Sequence, residues 1–119
     1  NQAGAKAYAT LLHDVEIFDL VLLGLGEDGH TASLFPGHPL GSEADAPTVL
    51  AISDAPKPPA ERISLSAHRL SQSRQVWFLV TGDSKRRALE NWRAEKNLPA
   101  LSICPESAIE IYTDLNLDT

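Results

Sequence analysis

The stretch FDLVLLGLGEDGH, residues 18–30, runs from a short apolar segment into a loop with three glycines. Residues 18–23 are too few for a buried helix and predict a β-strand that is buried on both faces. Residues 75–80, QVWFLV, predict a second buried strand, and polar or glycine residues follow it as they follow the first. Open α/β sheets bind ligands at the carboxyl ends of their strands. The loops at residues 24–35 and 81–87 are therefore the candidate functional loops.

Helical and extended segments alternate along the rest of the chain. The predicted helices cover residues 3–13, residues 67–73 and a segment from a cap at Asp83 or Ser84 to about residue 97. The further predicted strands cover residues 49–53, 63–66 and 109–113, the last at a sheet edge. Residues 31–35 are expected to form one helical turn, and three prolines make residues 54–61 an extended connector. This order predicts the α/β class, with a Rossmann-like, mostly parallel sheet flanked by helices.

The length of the chain allows one domain and not two. It has 119 residues, of which 43 % are hydrophobic, so a core can form. The sequence begins inside a predicted helix with no strand before it, and two central strands alone make a thin sheet. We therefore expect residues 1–119 to be a C-terminal fragment of a single α/β domain that lacks its N-terminal strands.

The charge and the cysteine content exclude several classes of protein. The net charge of −6 argues against a nucleic-acid partner, which requires a basic face. No apolar run is long enough to span a membrane, and no signal-peptide core follows the N-terminus. Cys104 is the single cysteine, so it cannot form an internal disulfide and is expected to be a small buried residue. These features predict a cytoplasmic protein.

Residues 24–29 match the pattern G-x-G-x-x-G that binds dinucleotides, but the context of the match is unfavourable. The dinucleotide motif opens a long helix whose N-terminus faces the pyrophosphate. Here Pro36 follows too soon for such a helix, and Glu27 and Asp28 would place negative charge beside an anionic ligand. The glycines therefore argue for a loop of another kind.

Asp28-Gly29-His30 places a carboxylate and an imidazole at the end of the first strand. A histidine there can take a proton from water, and a nearby carboxylate can orient it. Gly26 and Gly29 allow backbone N–H groups to approach a substrate or an oxyanion. The same residues also fit a tight turn in which His30 is merely exposed, and residue types alone leave both interpretations open. His30 and His38 have no third ligand at metal-binding spacing, so no metal site is predicted.

Lys85 begins a predicted helix directly after the second strand. A helix start attracts anions through its unpaired N–H groups and its dipole, and Thr81 and Ser84 add hydroxyl donors. The alternative is a capped surface helix with Lys85 in solvent. Composition alone favours the surface interpretation.

Four ordered segments resemble a known family. They are FDLVLLGLGEDGHTASLFPG (residues 18–37), PKPPAERISLS (56–66), VTGDSK (80–85) and LPA (98–100). Together they are similar to the 6-phosphogluconolactonase branch of the glucosamine/galactosamine-6-phosphate isomerase superfamily. The resemblance covers the C-terminal half of the family pattern, because the family's first strands, an early glycine loop and an upstream arginine have no counterpart here.

The resemblance implies hydrolysis of 6-phospho-D-glucono-1,5-lactone to 6-phospho-D-gluconate in the oxidative pentose phosphate pathway. It implies that His30 is the general base on water and that Asp28 supports it. Loop amides, including those of Gly26 and Gly29, would bind the substrate or the oxyanion. Lys85 and Arg62 would hold the phosphate, with Arg62 preferred to Lys57 because arginine grips phosphate bidentately. The implied partner is a small sugar-phosphate lactone, without a metal or organic cofactor, and the chain is expected to be a monomer or a weak homo-oligomer.

Two alternatives remain at this stage. The isomerase and deaminase branch reads D-G-H-x-x-x-N-E-P, and its glutamate shuttles protons between carbons. Here Leu34 and Phe35 stand at the Asn and Glu positions, and an apolar pair cannot move protons. The second alternative is a non-catalytic sugar-phosphate-binding domain, against which the intact Asp28 and His30 argue.

Overall fold

The computed structural model describes residues 1–117. Its helices are α1 (Gln2–Leu11), α2 (Ala67–Ser71) and α3 (Arg86–Arg93). Its strands are β1 (Phe18–Leu23), β2 (Val49–Ile52), β3 (Arg62–Leu65), β4 (Ser73–Val80) and β5 (Glu110–Thr113). Two 3₁₀ turns, Asp83–Lys85 and Pro99–Ser102, follow β4 and α3 respectively.

Three strands form a parallel sheet in the order β1-β4-β5. Leu23 at the end of β1 lies opposite Phe78 of β4, so the two strands end at the same edge. Strands β2 and β3 form a separate antiparallel pair, against which α1 packs. The predicted α/β class with a mostly parallel sheet is confirmed, and β5 lies at a sheet edge as predicted. No helix in residues 1–117 is long and apolar enough to cross a membrane.

The core lies on one face of the parallel sheet. That face joins a cluster of buried residues contributed by the sheet and by α2 and α3: Val21, Val76, Phe78, Val80, Ala67, Leu70, Ala88 and Leu89. The prediction that β1 is buried on both faces is wrong, because Leu20 and Leu22 are 40 % and 56 % exposed. An apolar run does not reveal which of its two faces a helix covers, and within the described residues only one face is packed.

Three local predictions are wrong: the helical turn at residues 31–35, the start and end of the helix after β4, and the burial of Cys104. Residues 31–35 form a turn closed by a Thr31–Leu34 bridge instead of a helical turn, because Ala32 has a left-handed φ of 50°. Neither Asp83 nor Ser84 caps a helix; the chain makes a 3₁₀ turn there, and α3 begins after Lys85. The helix also ends before residue 97, and Glu95, two residues after it, has φ 55°. Cys104 is exposed, not buried.

Candidate active site

The loop after β1 is anchored at both ends by buried apolar side chains. Leu25 is 5 % exposed, and Leu34 and Phe35 are fully buried. Between these anchors the backbone hydrogen-bonds to itself: the Gly26 amide donates to the His30 carbonyl at 2.8 Å. The hydroxyl of the buried Thr31 donates to the Gly24 carbonyl at 2.8 Å and ties the returning chain to the end of the strand. The loop is therefore a closed structure and not a flexible connection.

Gly29 allows the turn that presents His30. Its φ of +88° lies in the left-handed region, which favours glycine. A Cβ at this position would also lie 2.6 Å from Leu98, so a side chain has no room. The Gly29 amide donates to the Gly26 carbonyl at 3.0 Å, and the Gly29 carbonyl accepts from the Ala100 amide at 3.3 Å. Both backbone groups of Gly29 thus bond to the protein itself.

Asp28 and His30 form a short pair. The Asp28 Oδ1 atom lies 2.6 Å from His30 Nδ1 and also accepts the backbone N–H of His30 at 3.0 Å. The side chain of His30 is 19 % exposed and that of Asp28 is 33 % exposed. One carboxylate oxygen therefore fixes both the backbone and the ring of the histidine, while water can still reach the site.

The electrostatics keep Asp28 ionised at neutral pH. Burial acts to raise the pKa of Asp28, but the hydrogen bonds and charge of His30, with help from the charge of Lys57, lower the pKa below its usual value. An ionised carboxylate only accepts hydrogen bonds, so His30 Nδ1 donates to it. In the neutral imidazole this leaves Nε2 with a lone pair that can accept a proton.

Gly26 makes room for the His30 ring. A Cβ on Gly26 would lie 2.0 Å from Nδ1 and 2.1 Å from Cε1 of His30. Any side chain at position 26 would therefore push the imidazole away from Asp28. The glycine is required for close approach of a ring, and its amide is already bonded to the His30 carbonyl.

Phe35 also packs against the imidazole of His30. The ring centroids of Phe35 and His30 are 4.6 Å apart with a tilt of 31°. Phe35 is fully buried, so its position is set by the core. The imidazole thus contacts Asp28 at one nitrogen, the backbone at Gly26 and the ring of Phe35.

Lys85 and His30 line the same cleft. Its volume is about 330 Å³, and its lining includes Gly26, His30, Thr31 and Lys85. Lys85 follows β4, and its Nζ donates to the Leu25 carbonyl at 2.6 Å. Since β1 and β4 are parallel neighbours, their carboxyl ends bring a lysine and a histidine together although they are far apart in sequence. Thr81 and Ser84 are exposed and do not contribute to the lining.

Arg62 lies outside this cleft and contacts the ring of Phe35. Its guanidinium donates to three carbonyls of the proline-rich connector, those of Lys57, Pro58 and Pro59, at 2.8, 3.2 and 3.0 Å. The carbon at its centre lies 5.1 Å from the centroid of the Phe35 ring. It does not line the cleft of His30 and Lys85.

The four segments that carried the family resemblance all meet at the loop. Lys85, from residues 80–85, bonds to its backbone, and Leu98, from residues 98–100, packs against Gly29. From residues 56–66, Arg62 contacts Phe35 and the buried Ser64 accepts the Ser33 amide at 3.1 Å. Separated motifs therefore converge on one site.

The residues that support His30 were not evident from the sequence. Nothing in the pattern indicated that Phe35 would pack on the imidazole or that Thr31 would close the loop. The glycine at position 26 is a usable signal, but from the sequence it predicts the approach of a backbone N–H group to a ligand and not the approach of the His30 ring. Among residues 1–117, no group of three or more His, Cys, Asp or Glu side chains is placed to hold a metal ion.

Comparison with known proteins identifies similar sequences and folds. The family model described as "Glucosamine-6-phosphate isomerases/6-phosphogluconolactonase" matches residues 1–112. A 6-phosphogluconolactonase from Rattus norvegicus is 44 % identical over 97 residues, which cover 78 % of this chain and 37 % of that protein. A chloroplastic 6-phosphogluconolactonase from Arabidopsis thaliana is 51 % identical over 73 residues, covering 61 % of this chain and 22 % of that protein.

A solved structure extends the similarity to the fold. The crystal structure of 6-phosphogluconolactonase from Thermotoga maritima superimposes with a TM-score of 0.82 at 26 % identity. The match covers 94 % of this chain and 50 % of that chain. The chain thus spans about half the length of this structural neighbour and 37 % of the length of the rat relative.

Proposed function

The chain belongs to the family of glucosamine-6-phosphate isomerases and 6-phosphogluconolactonases, and from that premise we propose that its site hydrolyses 6-phospho-D-glucono-1,5-lactone to 6-phospho-D-gluconate. This reaction is the second step of the oxidative pentose phosphate pathway. The relatives named above as 6-phosphogluconolactonases support the proposal.

One observation carries the proposal: an oriented imidazole and a lysine amine share one cleft. His30 and Lys85 both line the cleft of about 330 Å³. A sugar-phosphate lactone presents an electrophilic carbonyl at one end and a phosphate at the other. The cleft therefore offers one group for each end of such a substrate.

His30 is the general base in the proposed mechanism. Its Nε2 takes a proton from water as the water oxygen bonds to the lactone carbonyl carbon. The tetrahedral intermediate then collapses, the bond from that carbon to the ring oxygen breaks, and Nε2 returns the proton to the leaving oxygen. Asp28, held 2.6 Å from Nδ1, orients the ring and stabilises the imidazolium between these two steps.

Gly26 and Gly29 contribute to substrate binding by shaping the cleft. Their amides are bonded to the His30 and Gly26 carbonyls, so we do not assign these two N–H groups to the oxyanion. Gly26 lines the cleft, and because it has no side chain the imidazole can lie against the loop at the wall of the cleft. Gly29 acts one step away, by setting the turn.

Lys85 is the proposed phosphate ligand. Its amine lies in the cleft, and its bond to the Leu25 carbonyl uses one of its three donors. A charged hydrogen bond from this amine would compensate for the overall negative charge of the chain. The resemblance implies that Arg62 shares this task, but Arg62 does not line the cleft, so we assign the phosphate to Lys85 alone.

Leu34 and Phe35 favour hydrolysis over isomerisation. Both side chains are fully buried and apolar at the positions where the isomerase pattern has polar residues. Moving a proton between two substrate carbons requires an additional acid or base, whereas lactone hydrolysis requires one base and a water molecule.

We further propose a cytoplasmic protein whose partner is the small-molecule lactone, without a nucleic-acid or membrane partner. The acidic net charge supports the absence of nucleic acid. The similar protein from Arabidopsis thaliana is named as chloroplastic, so the family itself does not fix the compartment. Cell fractionation that places the protein inside an organelle would overturn the cytoplasmic assignment.

The test is a comparison of two substrates. The protein is incubated with 6-phospho-D-glucono-1,5-lactone and, separately, with glucosamine 6-phosphate. We expect acid release from the lactone above its spontaneous rate and no conversion of the amino sugar. Conversion of the amino sugar would establish the isomerase alternative, and binding of the lactone without turnover would establish a non-catalytic domain.

A further inference from the structure

The Phe35 ring contacts two cationic or potentially cationic groups. The centroid of the His30 imidazole lies 4.6 Å from that of the Phe35 ring, and the central carbon of the Arg62 guanidinium lies 5.1 Å from the same centroid. A third ring, that of His38, meets it edge-on at 6.3 Å. Because Phe35 is fully buried, it cannot shift without displacing these neighbours.

Arg62 is held rigidly in this arrangement. Its Nε and one Nη atom donate to the carbonyls of Lys57, Pro58 and Pro59. These bonds orient the guanidinium plane and fasten the proline-rich connector to the start of β3. The arginine is therefore neither a free surface charge nor a member of the cleft.

We propose that Arg62 is a positioning residue that acts on His30 through the ring of Phe35. This inference rests on the proposed function, and it assigns Arg62 a role different from phosphate binding. The guanidinium attracts the face of the phenyl ring and fixes the ring against the imidazole. The imidazole is thereby confined by Phe35, Gly26 and Asp28. These contacts restrict rotation of the ring and so fix the orientation of Nε2.

Confinement of this kind affects turnover more than binding. A general base must lie within hydrogen-bonding reach of the water it deprotonates, and small misplacements are costly. Loss of Arg62 would loosen the ring that supports the base but would leave the Lys85 amine in the cleft. Loss of a residue that binds the phosphate would have the opposite effect, because it would weaken binding of the phosphorylated molecule more than it would lower turnover.

The first experiment separates an effect on turnover from an effect on binding by comparing Arg62→Met with Lys85→Met. For Arg62→Met we expect kcat to fall about tenfold while the dissociation constant of 6-phosphogluconate changes less than about twofold. For Lys85→Met we expect the dissociation constant to rise about tenfold. Arg62→Lys keeps the charge and should recover part of kcat. A rise in the dissociation constant for Arg62→Met, or an unchanged kcat, would overturn the proposal.

The second experiment reads the imidazole directly and does not depend on turnover. The Hε1 resonance of His30 is recorded by NMR in the wild type, in Arg62→Met and in Arg74→Met. Arg74 is an exposed arginine paired with Asp19 at 3.5 Å and serves as the matched control. We expect the resonance to move in Arg62→Met and to stay in place in Arg74→Met. An unmoved resonance in Arg62→Met would contradict the coupling, even if the wild type hydrolysed no lactone and the proposed function failed.

Discussion

Two His–Asp pairs contact the Phe35 ring through their histidines, and they differ in how they are held. His30 Nδ1 is 2.6 Å from Asp28, whereas His38 Nδ1 is 3.6 Å from Asp54. The carboxylate of Asp28 is 33 % exposed and that of Asp54 is 81 % exposed. The histidines themselves are similarly buried, at 19 % and 25 % exposure.

The difference shows that the loop, and not the residue pair, makes a catalytic candidate. Asp28 also accepts the backbone N–H of His30, and Gly26 leaves room for the ring. Asp54 lies at the start of the connector and makes a long, solvent-screened pair of the kind that contributes little. Proximity of an acid and a histidine is therefore insufficient without a backbone that fixes both.

The largest expected effect comes from replacing each histidine in turn. His30→Asn removes the proposed general base and should lower lactone turnover by about 10² to 10⁴-fold. His38→Asn removes the loosely held ring and should stay within about threefold of the wild type. Steady-state assays of the two variants measure the contrast directly, and equal losses would remove the distinction between the pairs.

A smaller but still large loss is expected for Gly26→Ala. The added Cβ would overlap the His30 ring at 2.0 Å and force it away from Asp28. A displacement of about 1 Å at a reacting group can cost about 10²-fold in rate. Gly4→Ala is the matched control, because a Cβ there would meet Ile63 at an ordinary 3.9 Å. If Gly26→Ala is as active as Gly4→Ala, the ring is not held as described.

Lys85→Met tests whether the cleft has a phosphate end as well as a catalytic end. Loss of the amine should raise the KM of the phosphorylated lactone about tenfold, which corresponds to about 1.4 kcal/mol of binding energy. The value of kcat should remain within about threefold, because the base is untouched. A fall in kcat at constant KM would place Lys85 in the chemical step instead.

The smallest of these effects is expected for Asp28→Asn, and it is a change in the free energy of unfolding. The pKa of Asp28 is lowered in the folded protein, so its contribution to stability is present above the ordinary value of 3.8 and is lost as the pH falls through the lower folded value. We expect the wild type to exceed Asp28→Asn by at most about 1 kcal/mol at neutral pH, since the carboxylate is partly exposed. Urea unfolding at several pH values measures the gap, and a gap that grows in acid would contradict the assignment.

The strands and the Asp28–His30 pair were predictable because they depend on local patterns. Residues 18–23 and the Asp28-Gly29-His30 loop carry their own signals of apolarity, glycine and spacing. Predicting that Lys85 lies near His30 required one further rule, that neighbouring parallel strands end at a common edge of the sheet. These are short-range or topological arguments that a single sequence supports.

Arg62 and Phe35 could not be placed in the same way. The direction of Arg62 depends on how the connector folds back on β3, where the guanidinium finds three carbonyls. The exposure of Leu20 and Leu22 likewise depends on which sheet face the helices cover. Such features arise from packing between distant segments, and residue type alone does not determine them.

The tautomer of His30 tests most directly whether Asp28 orients the imidazole so that Nε2 can accept a proton. This tautomer can be measured by ¹⁵N NMR of the imidazole nitrogens at a pH where the ring is neutral. We predict that the proton is on Nδ1, bonded to Asp28, and that Nε2 is unprotonated and free to accept a proton from water. His38, in the same spectrum, should show a mixture of tautomers because its carboxylate is distant and exposed. A His30 ring that carries its proton on Nε2, or that shows the same mixture as His38, would contradict the orientation of His30 by Asp28.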